Sequence, residues 1–238
     1  MTIGYPGFYT GKVFAADDST EANLATLPLG ARVVAGRGAY RRFFKRMLDI
    51  TAIVLAAPAV VPVIAVAAVL VARDGGSPFY TQMRVGRNGR AFRMLKLRTM
   101  VCDADDRMQE YLAQNPAARL EWDSTQKLKA DPRITKAGRF LRKSSLDELP
   151  QLWNVLVGDM SLVGPRPMMI NQQNLYPGLG YYALRPGITG YWQTAGRNRT
   201  TFEARAEYDD AYDAELSLRT DFKVLMATVG VVVNGTGY

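Results

Sequence analysis

The chain has 238 residues, with 30 lysines and arginines against 22 aspartates and glutamates and a formal net charge of +8. It contains no histidine and a single cysteine, Cys102, which excludes imidazole bases, histidine metal sites, Cys-cluster zinc sites and an intrachain disulfide. The length suits one sizeable core with appendages, and the basic balance favours an anionic partner: nucleic acid, acidic lipid or a phosphorylated substrate.

Residues 1–38 are rich in Gly, Pro and small polar residues. They lack the basic n-region, apolar h-region and cleavage site of a signal peptide, and are expected to form a loosely ordered arm. A docking arm is the alternative. Ile50 to Ala72 form an uncharged run of 23 residues, long enough to cross a bilayer as a straight helix. Pro58 and Pro62 interrupt it, each removing a backbone hydrogen bond. Arg41, Arg42, Lys45 and Arg46 precede the run, and Arg73, Arg84, Arg87, Arg90, Arg93, Lys96 and Arg98 follow it. Basic residues favour the cytoplasmic side, so cations at both ends predict a re-entrant helix that enters one leaflet and returns at the prolines. A single-pass anchor and a buried core helix are the competing readings.

FYTQMRVGRNGRAFRMLKLRTM, residues 79–100, predicts a β-hairpin turning at Asn88-Gly89. Its cations, Lys96 and Arg98 among them, are candidates for nucleotide phosphates, acidic headgroups or RNA. Residues 103–129 read as helical with a break or restart at Pro116. RITKAGRFLRK is a further short helix, and Leu149, Leu152, Trp153 and Leu156 recur at helical spacing. Two helices are expected over the last stretch, the final one at Phe222–Val233, lying in a membrane interface or packing in the core.

Asp147 and Glu148 are the leading site candidates. Ser145-x-x-Glu148 also matches a capping box, in which both acids simply open a helix. The chemical reading gives the two acids separate roles, one attacking phosphorus and one holding a metal. Sequence neighbours cannot flank a glycosidic bond from opposite faces, which argues against a two-carboxylate glycosidase. Downstream, Pro165-Arg166-Pro167 restrains an arginine whose planar fork suits phosphate oxygens. Arg185-Pro186-Gly187 and Gly196-Arg197-Asn198 repeat the theme.

KRMLDI, the apolar run, the hairpin, DPRITKAGRFLRKSSLDELPQLWNVLVGDMSLVGPRP and RPGITGYWQTAGRN, in that order, resemble the bacterial sugar transferases, monotopic polyprenyl-phosphate hexose-1-phosphate transferases. The resemblance runs from about Lys45 to near the C-terminus, and the chain looks like a small, catalytic-core member without the extra membrane helices of larger relatives. It implies an α+β, predominantly helical fold: an arm at 1–38, a basic segment and re-entrant helix at 39–74, and a cytoplasmic-face catalytic domain at 75–238 with a small hairpin and interfacial helices.

The implied activity is a phosphoglycosyl transfer at the cytoplasmic face of the bacterial inner membrane, the first membrane step of exopolysaccharide or glycan assembly. Asp147 attacks the sugar-linked phosphorus of a UDP-sugar, UMP leaves, and undecaprenyl phosphate collects the hexose-1-phosphate from the aspartyl intermediate. Glu148 holds Mg2+, and Arg166, Arg185, Arg197, Lys96 and Arg98 bind the substrate phosphates. Pro62 matches the family's helix-breaking proline, with Val61 where the family has serine. The likeness is strongest to initiators that transfer galactose-1-phosphate; glucose-1-phosphate and N-acetylhexosamine-1-phosphate are alternatives. Expected partners are the phospholipid membrane, a further copy of the chain and downstream glycosyltransferases, with no nucleic acid. The rival classes are a basic RNA-binding protein and a non-catalytic membrane scaffold.

Overall fold

The computed structural model describes residues 38–125, 128–196 and 201–233, so nearly all of the expected arm and Arg197 lie outside the described residues. Two compact units are present. One holds Cys102–Arg133, and the other runs through Val101 and resumes at Ile134. The fold is α+β and predominantly helical.

In the larger unit a π-helical turn, Tyr40–Phe44, leads into α1, Lys45–Ala72. Among the described residues this is the one helix long and apolar enough to cross a membrane. Helical residues run through both prolines, leaving the carbonyls of Val54 and Pro58 without the N–H donors a regular helix supplies. Each end of α1 is packed. Ile53 joins Phe92, Met94, Val155 and Met160 in one core cluster, while Ala67 and Val71 join Leu97 and Leu141 in another. Between them, residues 54–66 include no buried side chain, and Val54, Leu55, Val61, Val63 and Val66 are exposed.

Strands β1, Phe79–Val85, and β2, Ala91–Leu97, form the expected antiparallel hairpin, paired from Phe79↔Leu97 to Val85↔Ala91. Asn88 and Gly89 take positive φ, at 58° and 77°, a region these two residue types tolerate best. The loop is longer than a two-residue turn: Arg87, Asn88 and Gly89 lie inside a closing bond from the Gly86 N–H to the Arg90 carbonyl at 2.7 Å.

The smaller unit contains α2, Ala104–Gln114, and α3, Pro116–Thr125. Pro116 restarts the helix as expected, at a first-turn position where its missing N–H costs nothing. Back in the larger unit, α4 spans Lys136–Lys143 and is capped by the Thr135 hydroxyl, which accepts the Gly138 N–H at 2.9 Å. A one-turn 3-10 helix, Leu146–Glu148, precedes α5, Gln151–Val157, which stops at Gly158 with φ 99°.

A parallel pair not expected from sequence follows: β3, Ser161–Val163, against β4, Gly187–Thr189. Three residues per strand are too few to show alternation. Between them lies α6, Gly180–Ala183. The chain closes with α7, Arg205–Ala214, and α8, Leu218–Val233, two helices as expected, the last starting four residues before Phe222. Helix α8 turns its apolar stripe of Leu218, Phe222, Leu225, Met226 and Val229 outward and buries Thr220, Asp221 and Val224. Asp221 there accepts hydrogen bonds from Tyr40, Lys45 and Tyr212 at 2.6, 2.7 and 2.5 Å.

Candidate active site

The acid pair is positioned by a backbone turn, not by a cap. Ser145 sits at φ 56°, ψ 18° in the left-handed region, and its side chain makes no capping bond. A capping serine would hold extended backbone, so the Ser145-x-x-Glu148 box is not formed. The left-handed residue instead reverses the chain between α4 and the turn that carries Asp147 and Glu148. Ser145→Gly is therefore expected to keep or raise stability, and Ser145→Val to cost roughly 1–2 kcal/mol in thermal or denaturant unfolding. Equal melting points would show that the turn tolerates any side chain.

Asp147 is buried, at 9% exposure. Glu148 Oε1 receives Lys96 Nζ from β2 at 2.7 Å, with Arg166 Nη2 at 3.6 Å. Burial pushes the Asp147 carboxyl above its ordinary value; the Lys96 and Arg142 charges pull it down, and Glu148 adds to the rise. The Arg142 guanidinium is anchored through Nε on Thr99 Oγ1 at 2.8 Å. The result is a buried carboxylate in the field of Lys96 and Arg142, next to a second carboxylate that Lys96 and Arg166 approach.

The Pro165-Arg166-Pro167 loop is gripped by two further arginines. Arg205 Nη2 donates to the Arg166 carbonyl at 2.6 Å, and Arg84 Nη1 to that of Pro167 at 3.4 Å. Arg205 is buried, its guanidinium 4.8 Å from the Trp192 ring centre and 5.0 Å from that of Phe202. Burial lowers the pKa of Arg84 to about 10, helped by the Arg166 charge. Burial also lowers that of Arg205, against Asp209 and with Arg166. Sequence reading passes over both as site residues: Arg84 is one cation among many in the hairpin, and Arg205 opens a helix outside any motif.

Arg98 and Arg185 make their bonds elsewhere. Arg98 is bonded to Asp74 at 2.7 and 2.5 Å and to the Ser77 carbonyl at 2.7 Å, clamping the exit of α1. Those bonds hold the Asp74 carboxyl down at about 2. Arg185 Nε donates to the Gly158 carbonyl at 2.8 Å, beyond the far end of α5 from Asp147. Among the described cations expected on substrate phosphates, Lys96 and Arg166 are drawn to Glu148.

Among the described residues no group of three Asp, Glu, Cys or His side chains could cage a metal ion. Magnesium does not require one: it keeps waters and binds through one or two carboxylates plus substrate phosphates. Glu148, with Asp147 beside it, fits that donor set.

The model of the family described as bacterial sugar transferase matches residues 40–235. The UDP-galactose-lipid carrier transferase of Erwinia amylovora is 46% identical over 198 residues, covering 82% of this chain. The chain spans 42% of that relative's length. The exopolysaccharide production protein ExoY of Sinorhizobium fredii is 43% identical over 196 residues, covering 81% of this chain and 87% of ExoY. At 37% identity over 196 residues, the chain also matches the UDP-glucose:undecaprenyl-phosphate glucose-1-phosphate transferase of Caulobacter vibrioides, covering 78% of this chain and 68% of that relative. With most of its length matched in this way, the chain belongs to the bacterial sugar transferase family.

Proposed function

We propose that the protein transfers a hexose-1-phosphate from a UDP-sugar to undecaprenyl phosphate through a covalent intermediate on Asp147. The observation that carries this reading is the buried Asp147 beside a Glu148 gripped by Lys96, with Arg166 close by. One Asp147 oxygen attacks the phosphorus bonded to the sugar, and the bond to the bridging oxygen breaks as UMP leaves with the electron pair. An oxygen of the lipid phosphate then attacks the same phosphorus and releases Asp147 as a carboxylate. Splitting the exchange into two displacements lets two anionic substrates use one site in turn.

Two phosphates cannot approach a carboxylate without compensating charge. Lys96 and Arg166 supply it from the protein, and Arg84 and Arg205 fix the loop from which Arg166 reaches. Glu148 would hold Mg2+, which when bound neutralises the diphosphate and stabilises the leaving phosphate. Glu148→Gln is expected to impair turnover and change its Mg2+ dependence; an unchanged metal titration would remove Glu148 from that role. Arg205→Lys keeps the charge but loses the planar fork, and is expected to raise KM for the UDP-sugar by about tenfold. A KM within twofold of wild type would show that the loop stands without it.

The membrane reading is supported by α1. Its ends pack on the same compact unit while residues 54–66 are apolar and include no buried side chain. A helix threading a bilayer separates its ends by the full hydrocarbon thickness, roughly 30 Å, so one body cannot hold both. We therefore place α1 as a re-entrant element in the leaflet facing the cytoplasm, bending where Pro58 and Pro62 lack donors, with the active site at the inner-membrane surface.

Galactose-1-phosphate is the favoured cargo, following the Erwinia relative, and glucose-1-phosphate is the second reading, following the Caulobacter one. The deciding assay is UMP release from UDP-galactose, UDP-glucose and N-acetylated UDP-sugars with undecaprenyl phosphate. UDP-galactose is expected to give the highest kcat/KM, and no UMP from any donor would reject the activity.

A further inference from the structure

The hairpin turn and the end of α5 enclose a second cationic site. A cavity of about 390 Å3 is lined by Arg87, Asn88 and Arg90 from the turn, Phe92 from β2, Gly158 and Asp159 after α5, and Arg185. Arg87 and Arg90 are exposed, and among the described residues neither they nor Arg185 form an ion pair. Arg46 adds a fourth guanidinium. It donates to the carbonyls of Val155 and Leu156, and its Nη2 lies 3.6 Å from where a Cβ on Gly158 would sit. Burial, then the charges of Arg87 and Arg46, lower the pKa of Arg185 against the opposing pull of Asp49, so these cations sense one another. Asp159 is the lone acid on the wall. Guanidiniums brought together without a carboxylate ion pair among the described residues fit an anion with several acceptor oxygens.

We propose that this cavity is a second phosphate site, separate from the Asp147 site, that takes a phosphate ester supplied by an anionic lipid headgroup. Two observations favour a lipid source. Arg46 lies one turn before the apolar run of α1, which places the cavity at headgroup depth if α1 enters the membrane as proposed above. Trp153 and Val157, one turn apart on α5, are 61% and 52% exposed, and Val157 lines the cavity, so an apolar surface adjoins the cations. A headgroup phosphate between arginines with its acyl chains along such a surface satisfies both. The cavity thereby gives Arg185 a role that does not depend on the distant acid pair.

The test uses the whole protein in nonionic detergent micelles and measures binding of short-chain phosphatidylglycerol, short-chain phosphatidylcholine and UMP. Wild type is expected to bind phosphatidylglycerol in preference to phosphatidylcholine. Arg87→Ala/Arg90→Ala should weaken that binding by about 10- to 30-fold, two nearby cations having been removed. UMP release from the UDP-sugar should stay within twofold of wild type, since neither residue serves the acid pair. Equal binding of phosphatidylglycerol by wild type and variant would overturn the site, as would equal binding of the two lipids. If UMP displaces phosphatidylglycerol and itself binds more weakly to the variant, the phosphate chemistry stands and the lipid source falls. The proposed transfer is read separately, by UMP release in wild type.

Discussion

Asp147→Asn is expected to abolish turnover and to raise the melting temperature. Loss of a covalent nucleophile has no cheap substitute, so UMP release should fall on the order of 10^3-fold or more. The stability gain follows from burial, which raises the folded-state pKa of Asp147 above its unfolded value. Such a group contributes most to stability below its unfolded pKa, and the contribution is lost as pH rises through the folded pKa. At neutral pH the ionised carboxylate is therefore a burden on the fold, which asparagine removes at nearly constant shape. The melting difference between variant and wild type should shrink as pH is lowered towards the unfolded carboxylate range. The same shift predicts that the acid limb of the wild-type rate profile lies above the range of an exposed aspartate, because the attacking species is the carboxylate. Residual turnover of a tenth of wild type would exclude the nucleophile role. An unchanged melting temperature with full loss of turnover would keep the role and show that Lys96 and Arg142 offset the burial.

Single cysteines at Arg42 and Ser77, in a Cys102→Ser background, are expected to resist an impermeant thiol reagent applied to intact cells and to react once the cells are opened. These positions flank α1 on both sides. Cys102 is exposed and would otherwise mask the result. Protection of both sites follows if the ends packed on Phe92 and Leu97 stay on one side of the membrane. Labelling of one site alone from outside would establish a span. Replacing Pro58 and Pro62 together by Ala restores two N–H donors and is expected to straighten the proposed re-entrant helix. Ser77 should then become labelled in part, and UMP release should fall with it.

The hairpin was legible because Asn88-Gly89 can hold positive φ where most residues cannot, and Pro116 marked a helix start for a similar backbone reason. The acid pair was legible as a pattern, but its support was not. Lys96 lies on β2 and Arg98 just past its end, two residues on, and sequence treats them alike. The fold gives Lys96 to Glu148 and Arg98 to Asp74, because the latter stands at the end of α1 where β2 runs out. Arg84 and Arg205 act through carbonyls of a loop about 80 and 40 residues away in the chain, a relation that no local pattern encodes. The β3–β4 pair escaped notice because parallel strands of three residues carry neither a turn signal nor a period.

The three bonds that converge on Asp221 carry a consequence for biosynthesis. Tyr40 and Lys45 meet an acceptor 181 and 176 residues further along the chain. At about 5–20 residues per second, the start of α1 is synthesised roughly 9 to 35 seconds before Asp221. Throughout that interval Lys45 lacks Asp221 and Arg41 lacks Asp213, the carboxylates that pair with them in the folded protein. With α1 in the membrane as proposed, anionic headgroups can hold them meanwhile. Closure of the last helix onto the first then exchanges lipid for protein as their counter-charge, making docking of α8 a late, ionic-strength-sensitive step of assembly.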